Sequence, residues 1–460
     1  MPTIVTIGAM AARGFGWLFR AATGAGGSLY AWGYNAYGQI GQGNDSPNYS
    51  SPVQVGTATS WDNASIFYHA IAIRSNGTLW AWGLAQSGAL GDGTIVNKSS
   101  PVQIGALTNW DTAQARYLGT LALKTDGTLW SWGSGAFGRL GDGTTVDKSS
   151  PVQIGALTSW TKIGYGSYTY YNGHAIRSNN TLWAWGYGAP SYTDSYGTVL
   201  NYPYPTVNQT TYSSPVQVSS AISWASVSSG NDHALALTTG GALYAWGTNI
   251  FGQCGRSDLN NPYYYRVIPD TSECGGGGSA TFYAKYDAYV DLANFPNLYN
   301  PSTSSCESPV DGVTAFVTNA TANTQLWGFS SPVQVGTDTN WAQVAAGYLH
   351  SAAIKTTGTL WTWGYNVYGQ CGTGNTTNQS APTQVGALTN WAYVKCGLYG
   401  TIAVKTNGTL WAWGYNNYGQ LGQGDTTNRS SPVQIGSATN WLQAIDGLDS
   451  GVSASIAIRS

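Results

Sequence analysis

A Trp-Gly pair recurs along this chain at Trp32, Trp82, Trp132, Trp185, Trp246, Trp363 and Trp413, in steps of 50, 50, 53, 61, 117 and 50. A second tryptophan series follows it at Trp61, Trp110, Trp160, Trp224, Trp341, Trp391 and Trp441. So does a proline in "SPVQ" or "APTQ", at Pro52, Pro101, Pro151, Pro215, Pro332, Pro382 and Pro432. Three markers agree on seven units. Self-similarity at a period of roughly 50 residues signals a repeat architecture, in which each unit buries its apolar surface against its neighbours. The full length of 460 residues also exceeds the roughly 100–200 residues of one ordinary domain.

Within a unit, "IAVKTNGTLWAWG" (402–414) is two short alternating runs joined by Asn407-Gly408, a dipeptide suited to the positive φ of a type I′ hairpin turn. Strand side chains alternate, so Leu410 and Ala412 face one way while Trp411 and Trp413 face the other. Both faces are apolar, so both must be covered. "PVQIG" and the stretch after each second-series tryptophan supply two more strands, and helical periodicity is absent. Four short strands per unit, repeated seven times, predict an all-β fold, a seven-bladed β-propeller. The chain ends on "SASIAIRS" (453–460), and its repeat begins with "GGSLYAWGYNAYGQIG" (26–41). These are complementary parts of one unit, so N- and C-terminal strands are expected to share a blade and close the ring. An open solenoid would need polar capping units, and none is visible. The propeller is expected over 23–460. Residues 1–22 form an N-terminal extension whose apolar "IVTIG" and "GFGWLF" are expected to dock on the propeller itself or on a partner subunit; the second, which is preferred, would make the protein oligomeric.

Charge excludes several function classes. Only 8 % of residues are charged, the net charge is -2, and the two glutamates are Glu273 and Glu307. Without a basic block or stripe, phosphate neutralisation is closed to the chain and nucleic acid is not an expected partner. No apolar run reaches the roughly 20 residues of a membrane span. The N-terminus lacks a positive segment followed by an apolar core, so no secretory signal is read there.

The stretch "WAQVAAGYLHSAAIKTTGTLWTWGYNVYGQCGTG" (341–374) resembles the repeat of the regulator of chromosome condensation family, whose "AGxxH", "WGxNxxGQLGxG" and proline elements recur here in order. The resemblance implies a seven-bladed propeller. It does not fix a function, since such a fold carries many; the family includes an exchange factor for a small nuclear GTPase, secreted inhibitors and surface proteins. The low charge and "SSPVQIGALTNW" spacers are similar to the versions in phage virions and exported bacterial proteins. An exchange factor would be expected to show a charged GTPase-facing surface and a basic tail, and this chain has neither.

Chemistry-bearing residues are sparse. His69, His233 and His350 stand eight residues before the hairpin glycine, and His174 two places later. Imidazoles on separate blades need not converge on a metal, so each is expected to bond a neighbouring turn. Asp92, Asp142 and Asp425 sit in "GDG" or "GDT" turns, where aspartate bonds nearby backbone. Cys254 and Cys371 take the slot held by Leu421, and Cys396 an alanine-type slot, so they read as small core residues. Cys274 and Cys306 lie outside the repeat and are candidates for a disulfide in an oxidising compartment. Glu273 and Glu307 adjoin them, which raises a glycosidase carboxylate pair, although nothing fixes their separation. No P-loop, nucleophile elbow or zinc pattern occurs, so no catalytic residue, metal or cofactor is expected.

The insertions carry the functional expectation. From the first tryptophan series to the second, the regular spacing is that of Trp132 to Trp160; Trp185 to Trp224 is longer, and Trp246 to Trp341 is much longer. The added segments, at about 187–212 in blade 4 and about 255–325 in blade 5, fall in the same inter-strand part of the unit and should emerge on one side of the ring. They are tyrosine-rich: Tyr187, Tyr192, Tyr196, Tyr202 and Tyr204 in the first, Tyr263, Tyr264, Tyr265, Tyr283, Tyr286 and Tyr289 in the second. Tyrosine offers broad contact at low entropic cost with a polar handle, which suits protein and glycan binding. The expectation is a non-enzymatic structural or adhesion protein of a phage particle, in its tail, baseplate or capsid surface. It would present these loops to other virion proteins or to a host-surface receptor or glycan. The alternative is an extracellular or cell-surface bacterial binding protein.

Overall fold

The computed structural model describes residues 26–164, 172–186, 212–219, 222–256, 328–445 and 454–460. These form seven four-stranded antiparallel sheets. Blade 2 is typical, with strands Trp61–Ile66, His69–Arg74, Leu79–Gly83 and Lys98–Gln103 in spatial order. The strand opened by the second-series tryptophan lies innermost, against the same strand of the adjoining blades. The proline-bearing strand is outermost, where a residue without an N–H interrupts no ladder.

Blade 1 closes the ring as expected. Ser28–Gly33 pairs with Tyr49–Gln54 on one side and with Ala454–Arg459 on the other, and Ala454–Arg459 pairs with Trp441–Ile445. The seam runs in register from Ser28↔Arg459 to Gly33↔Ala454. The carbonyl of Gln420 in blade 7 accepts from Trp32 Nε1 at 2.8 Å and from Ser455 Oγ at 2.9 Å, so residues from both ends of the chain grip one oxygen.

The core lies between blades. Trp132 of blade 3, fully buried, packs with Ile71, Ile73 and Leu79 of blade 2; Trp32 of blade 1 packs with Ile402, Leu410 and Leu421 of blade 7. Five of the Trp-Gly indoles, those of Trp32, Trp82, Trp185, Trp363 and Trp413, donate back over a seam, as in Trp82 Nε1 to Gln39 O at 2.8 Å and Trp413 Nε1 to Gln370 O at 3.0 Å. Innermost strands have an unpaired edge, and neighbouring side chains satisfy it: Asn63 Oδ1 accepts from Ala113 N–H and Ser228 Oγ from Ala346 N–H. The hairpin glycine is required twice over. Gly408 has φ 73°, and a Cβ there would lie 2.1 Å from Thr439 O of the following spacer.

Candidate binding face

Strand direction alternates within a blade, so two kinds of connection emerge on the same side of the ring: innermost to second strand, and third to outermost. The insertions are both of the second kind. One leaves after Gly186 and returns at Tyr212 in blade 4; the other leaves after Arg256 and returns at Gly328 in blade 5. They therefore root on one face in adjacent blades. The eleven insertion tyrosines from Tyr187 to Tyr289, together with Cys274, Cys306, Glu273 and Glu307, lie outside the described residues, as do residues 1–22.

That same face carries a second set of tyrosines, built into the regular repeat. In blades 1, 6 and 7 the connection after the third strand reads "GYNAYGQ", "GYNVYGQ" and "GYNNYGQ" (33–39, 364–370 and 414–420). A buried asparagine folds each loop. Asn416 accepts from Leu421 N–H at 2.8 Å and donates to Asp425 O at 3.0 Å, while its own N–H bonds Asn428 Oδ1. Asn35 and Asn366 repeat the pattern with Ile40 and Cys371. The glutamine then caps the turn: Gln420 Oε1 accepts from Tyr418 N–H at 3.0 Å. The loop is thereby held by its own side-chain hydrogen bonds.

These loops line up their aromatic rings. Phe251 of blade 5 meets Tyr365 of blade 6 at 5.0 Å between centroids, and Tyr368 meets Tyr415 of blade 7 at 4.9 Å. Tyr418 meets Tyr34 of blade 1 at 5.2 Å, Tyr37 meets Tyr68 of blade 2 at 5.8 Å, and Tyr68 meets Tyr117 of blade 3 at 5.7 Å. Within blades, Tyr365–Tyr368, Tyr415–Tyr418 and Tyr34–Tyr37 complete the series at 6.3, 6.4 and 6.3 Å. On the inner side Tyr399 touches Tyr348, Tyr365, Tyr368 and Tyr415. The result is an arc over six blades of half-exposed rings in edge-to-face or tilted contact, a favoured arrangement of aromatic pairs. The corresponding segments of blade 4 lie outside the described residues.

At the blade 3 end of the arc the Arg139 guanidinium donates to Tyr117 O, but the tyrosine segments of blades 6, 7 and 1 are uncharged. None of the segments 33–39, 364–370 and 414–420 contains Asp, Glu, Lys or Arg, although two of these connections carry Asp45 and Asp425 further on. Burial, and then the neighbouring phenols, raise the pKa of Tyr34 and Tyr415 above the usual tyrosine value, so both rings are neutral near pH 7. Asp232, in the inner turn of blade 5, is pushed up to about 8 by burial, against the opposing amide of Asn231.

Sequence reasoning placed tyrosine recognition in the insertions and missed this arc. Tyr34 and Tyr37 belong to one segment of the repeat and Tyr68 to another. Only the blade-to-blade packing brings them together.

The histidines take structural places. His350 Nε2 lies 3.0 Å from Thr401 Oγ1 of the next blade, and that hydroxyl donates to Gln370 O at 2.8 Å. His69–Thr120–Ala89 and His233–Ser351–Gln253 repeat the relay. Each hydroxyl hydrogen is spent on a carbonyl, so the imidazole donates from Nε2. His174 instead pairs through Nδ1 with Ser229 Oγ at 2.8 Å. The expected partner was a neighbouring turn; the actual one is a strand hydroxyl of the next blade, across the seam. Burial holds His69, His233 and His350 down to about 3 and His174 to about 4.

Asp92, Asp142 and Asp425 accept from the N–H two residues on, as expected of turn aspartates. Cys254, Cys371 and Cys396 are buried and unbridged. Among the described residues no group of three His, Cys, Asp or Glu side chains could hold a metal ion, and no helix is long and apolar enough to cross a membrane.

Fold and repeat define a closed, seven-bladed propeller assembled from one sequence motif. The chain belongs to the regulator of chromosome condensation (RCC1) repeat family. One family model of that repeat matches residues 26–63, 76–115, 126–169, 357–404 and 407–447, and a second matches 224–253, 341–370 and 391–420. Together they cover more than half the chain. The ultraviolet-B receptor UVR8 of Arabidopsis thaliana is 34 % identical over 86 residues, 18 % of this chain and 19 % of that protein. The X-linked retinitis pigmentosa GTPase regulator homolog of Caenorhabditis elegans is 38 % identical over 82 residues, 17 % of this chain and 5 % of its own length. The chain thus spans less than a fifth of these relatives. Among solved structures, human WBSCR16 aligns over 94 % of this chain and 98 % of its own, with TM-score 0.65 and 15 % identity. Prp20p of Saccharomyces cerevisiae aligns over 94 % and 92 %, with TM-score 0.64 and 16 % identity. At such identities the likeness shows the fold alone.

Proposed function

We propose that this protein is a non-enzymatic binding scaffold that presents the aromatic face of its propeller to a ligand, and that it does so on the surface of a phage particle. The observation that carries the binding reading is the arc of half-exposed tyrosines held by buried asparagines over six blades. Aromatic surface with sparse charge, already fixed in place, is what a recognition face requires, because little side-chain entropy is lost on binding. The position of both insertion roots on this face supports the same reading, since functional loops on a rigid scaffold are a common arrangement. Prp20p, alike in fold, is described through its binding to Gsp1p and histones, which is a precedent for partner binding by such a ring.

The virion placement is supported by the sequence: 8 % charged residues and dense β-structure fit a particle subunit. Mass spectrometry of purified particles is expected to find the protein, and its absence would sink that placement. Particles carrying Tyr34→Ser, Tyr368→Ser and Tyr415→Ser are expected to assemble with the protein incorporated and to adsorb to host cells at roughly a tenth of the normal rate or less. Unchanged adsorption would refute the binding role of the face.

A further inference from the structure

The structure also points to the class of ligand. We propose that the aromatic face binds a neutral polysaccharide, an inference that rests on reading the face as a binding surface. Three observations favour this ligand over a folded protein or an extended peptide. First, the face repeats. Near-identical loops stand on the consecutive blades 6, 7 and 1, with rings in the same order and at similar spacings, 6.3, 6.4 and 6.3 Å within each loop. A folded protein surface offers nothing that recurs three times along an arc, whereas a polymer of identical units does. Second, the ring-bearing segments 33–39, 364–370 and 414–420 contain no charged residue, and burial raises the pKa of Tyr34 and Tyr415. Such a surface gives nothing to an anionic glycan or an acidic peptide. Third, the recurring buried asparagine amides are spent. Asn35, Asn366 and Asn416 are wholly buried and bonded within their own loops. The loops therefore offer half-exposed rings bearing phenol hydroxyls. A pyranose supplies the complement, a C–H face to lie on a ring and hydroxyls around its rim. An extended peptide would bring backbone N–H and C=O groups that need a strand edge to pair with, and these turns provide none.

The repetition gives the proposal a signature, because linked subsites raise affinity with ligand length. The test is affinity electrophoresis of the full chain through gels containing neutral glucans, mannans, galactans or xylans and the host's own neutral surface polysaccharide, with alginate and heparin as anionic comparators. Calorimetry against oligosaccharides of one to eight units follows for whichever glycan retards the protein. Retardation by a neutral glycan is expected, with affinity climbing at least roughly tenfold between two and six units. Tyr34→Ser, Tyr368→Ser and Tyr415→Ser are each expected to cost about tenfold in affinity, and the matching Phe variants only a few-fold. Far-ultraviolet dichroism and unchanged melting temperatures confirm that the variants fold. The polysaccharide inference is overturned if no neutral glycan retards the protein, if only anionic ones do, or if the Ser variants bind as well as the parent. Should the Ser variants reduce particle adsorption while no neutral glycan binds, the ligand class is wrong and the binding face stands. If they change neither, both fall.

Discussion

At the scale of single residues, the histidine relay sets how the ring responds to acid. An unfolded histidine takes up its proton near pH 6.5, whereas His69, His233 and His350 stay neutral down to about 3 and His174 to about 4. Between those limits the unfolded chain holds more protons than the folded one, so stability is full above about pH 6.5 and drains away as pH falls. Each histidine contributes a slope of up to about 1.4 kcal/mol per pH unit in that window. Melting temperature is expected to drop steeply from pH 6 to pH 4. His350→Gln should flatten the slope by roughly one proton's worth, which urea titrations at pH 7 and pH 4.5 would measure; an unaltered slope would show that His350 is not held neutral. Thr401→Val removes the centre of the same relay, leaving the His350 N–H without its acceptor and Gln370 O with the Trp413 indole alone. A loss of about 1–3 kcal/mol is expected by denaturant unfolding, against a few tenths for Thr401→Ser. The histidine slot was legible because His69, His233 and His350 each stand eight residues before the hairpin glycine. Its partner was not, because the Thr401 hydroxyl belongs to the following unit, at a position that reads as an ordinary strand residue.

At the scale of the blade, the sequence pattern announced the hairpin but not its cationic clamp, nor its turn type: only Gly408 takes positive φ, so the turn is not the expected type I′. Asn407-Gly408 announced the turn, and the alternation of Leu410, Trp411, Ala412 and Trp413 announced two buried faces. Yet Trp411 and Trp413 do different work. Trp413 is fully buried and crosses the seam, while the half-buried Trp411 receives Lys405, whose ammonium lies 3.5 Å from that ring's centroid and 4.7 Å from that of Trp391. Lys124, Lys355 and Arg74 sit between equivalent pairs. A lysine at the end of a strand carries no sequence mark that separates a clamp from a solvated charge, so the pattern was invisible before the strands were paired. Lys405→Ala is expected to cost about 1–2 kcal/mol through the lost cation–π contact and the lost packing of its stem, with Lys405→Arg nearly neutral. Gly408→Ala should cost more, since both its φ of 73° and the 2.1 Å approach to Thr439 O forbid a Cβ. Thermal melts of the three variants rank these effects; an alanine at 408 milder than one at 405 would contradict the packing described.

At the scale of the whole ring, closure was legible because a terminal half-unit has no other use in a repeat protein, and the blade count followed from the tryptophan spacing. The aromatic arc was not legible for the reason that closure matters. Tyr418 and Tyr34 stand near opposite ends of the sequence and 5.2 Å apart in space, so the arc is continuous only once blade 1 is assembled from both ends. Ring closure and the aromatic arc are therefore coupled. The strand Ala454–Arg459 lies between Trp441–Ile445 and Ser28–Gly33. Arg459 also stacks on Tyr30, with its guanidinium 4.5 Å from the ring centroid, and donates to the Tyr30 hydroxyl at 2.6 Å. Removing residues 454–460 splits blade 1 and leaves two strand edges unpaired at the seam, a template for association with other chains. The shortened chain is expected to melt well below the full one, to form concentration-dependent oligomers in light scattering, and to lose whatever ligand the arc binds although every tyrosine remains. Because the missing piece is one strand, the peptide ASIAIRS added in trans should restore the melting temperature in proportion to its concentration, as any ligand of the folded state does. A peptide with its inward-facing isoleucines, Ile456 and Ile458, changed to aspartate should restore nothing. Full ligand binding by the shortened chain without peptide would mean that the face does not depend on the seam, and the coupling argued here would be wrong.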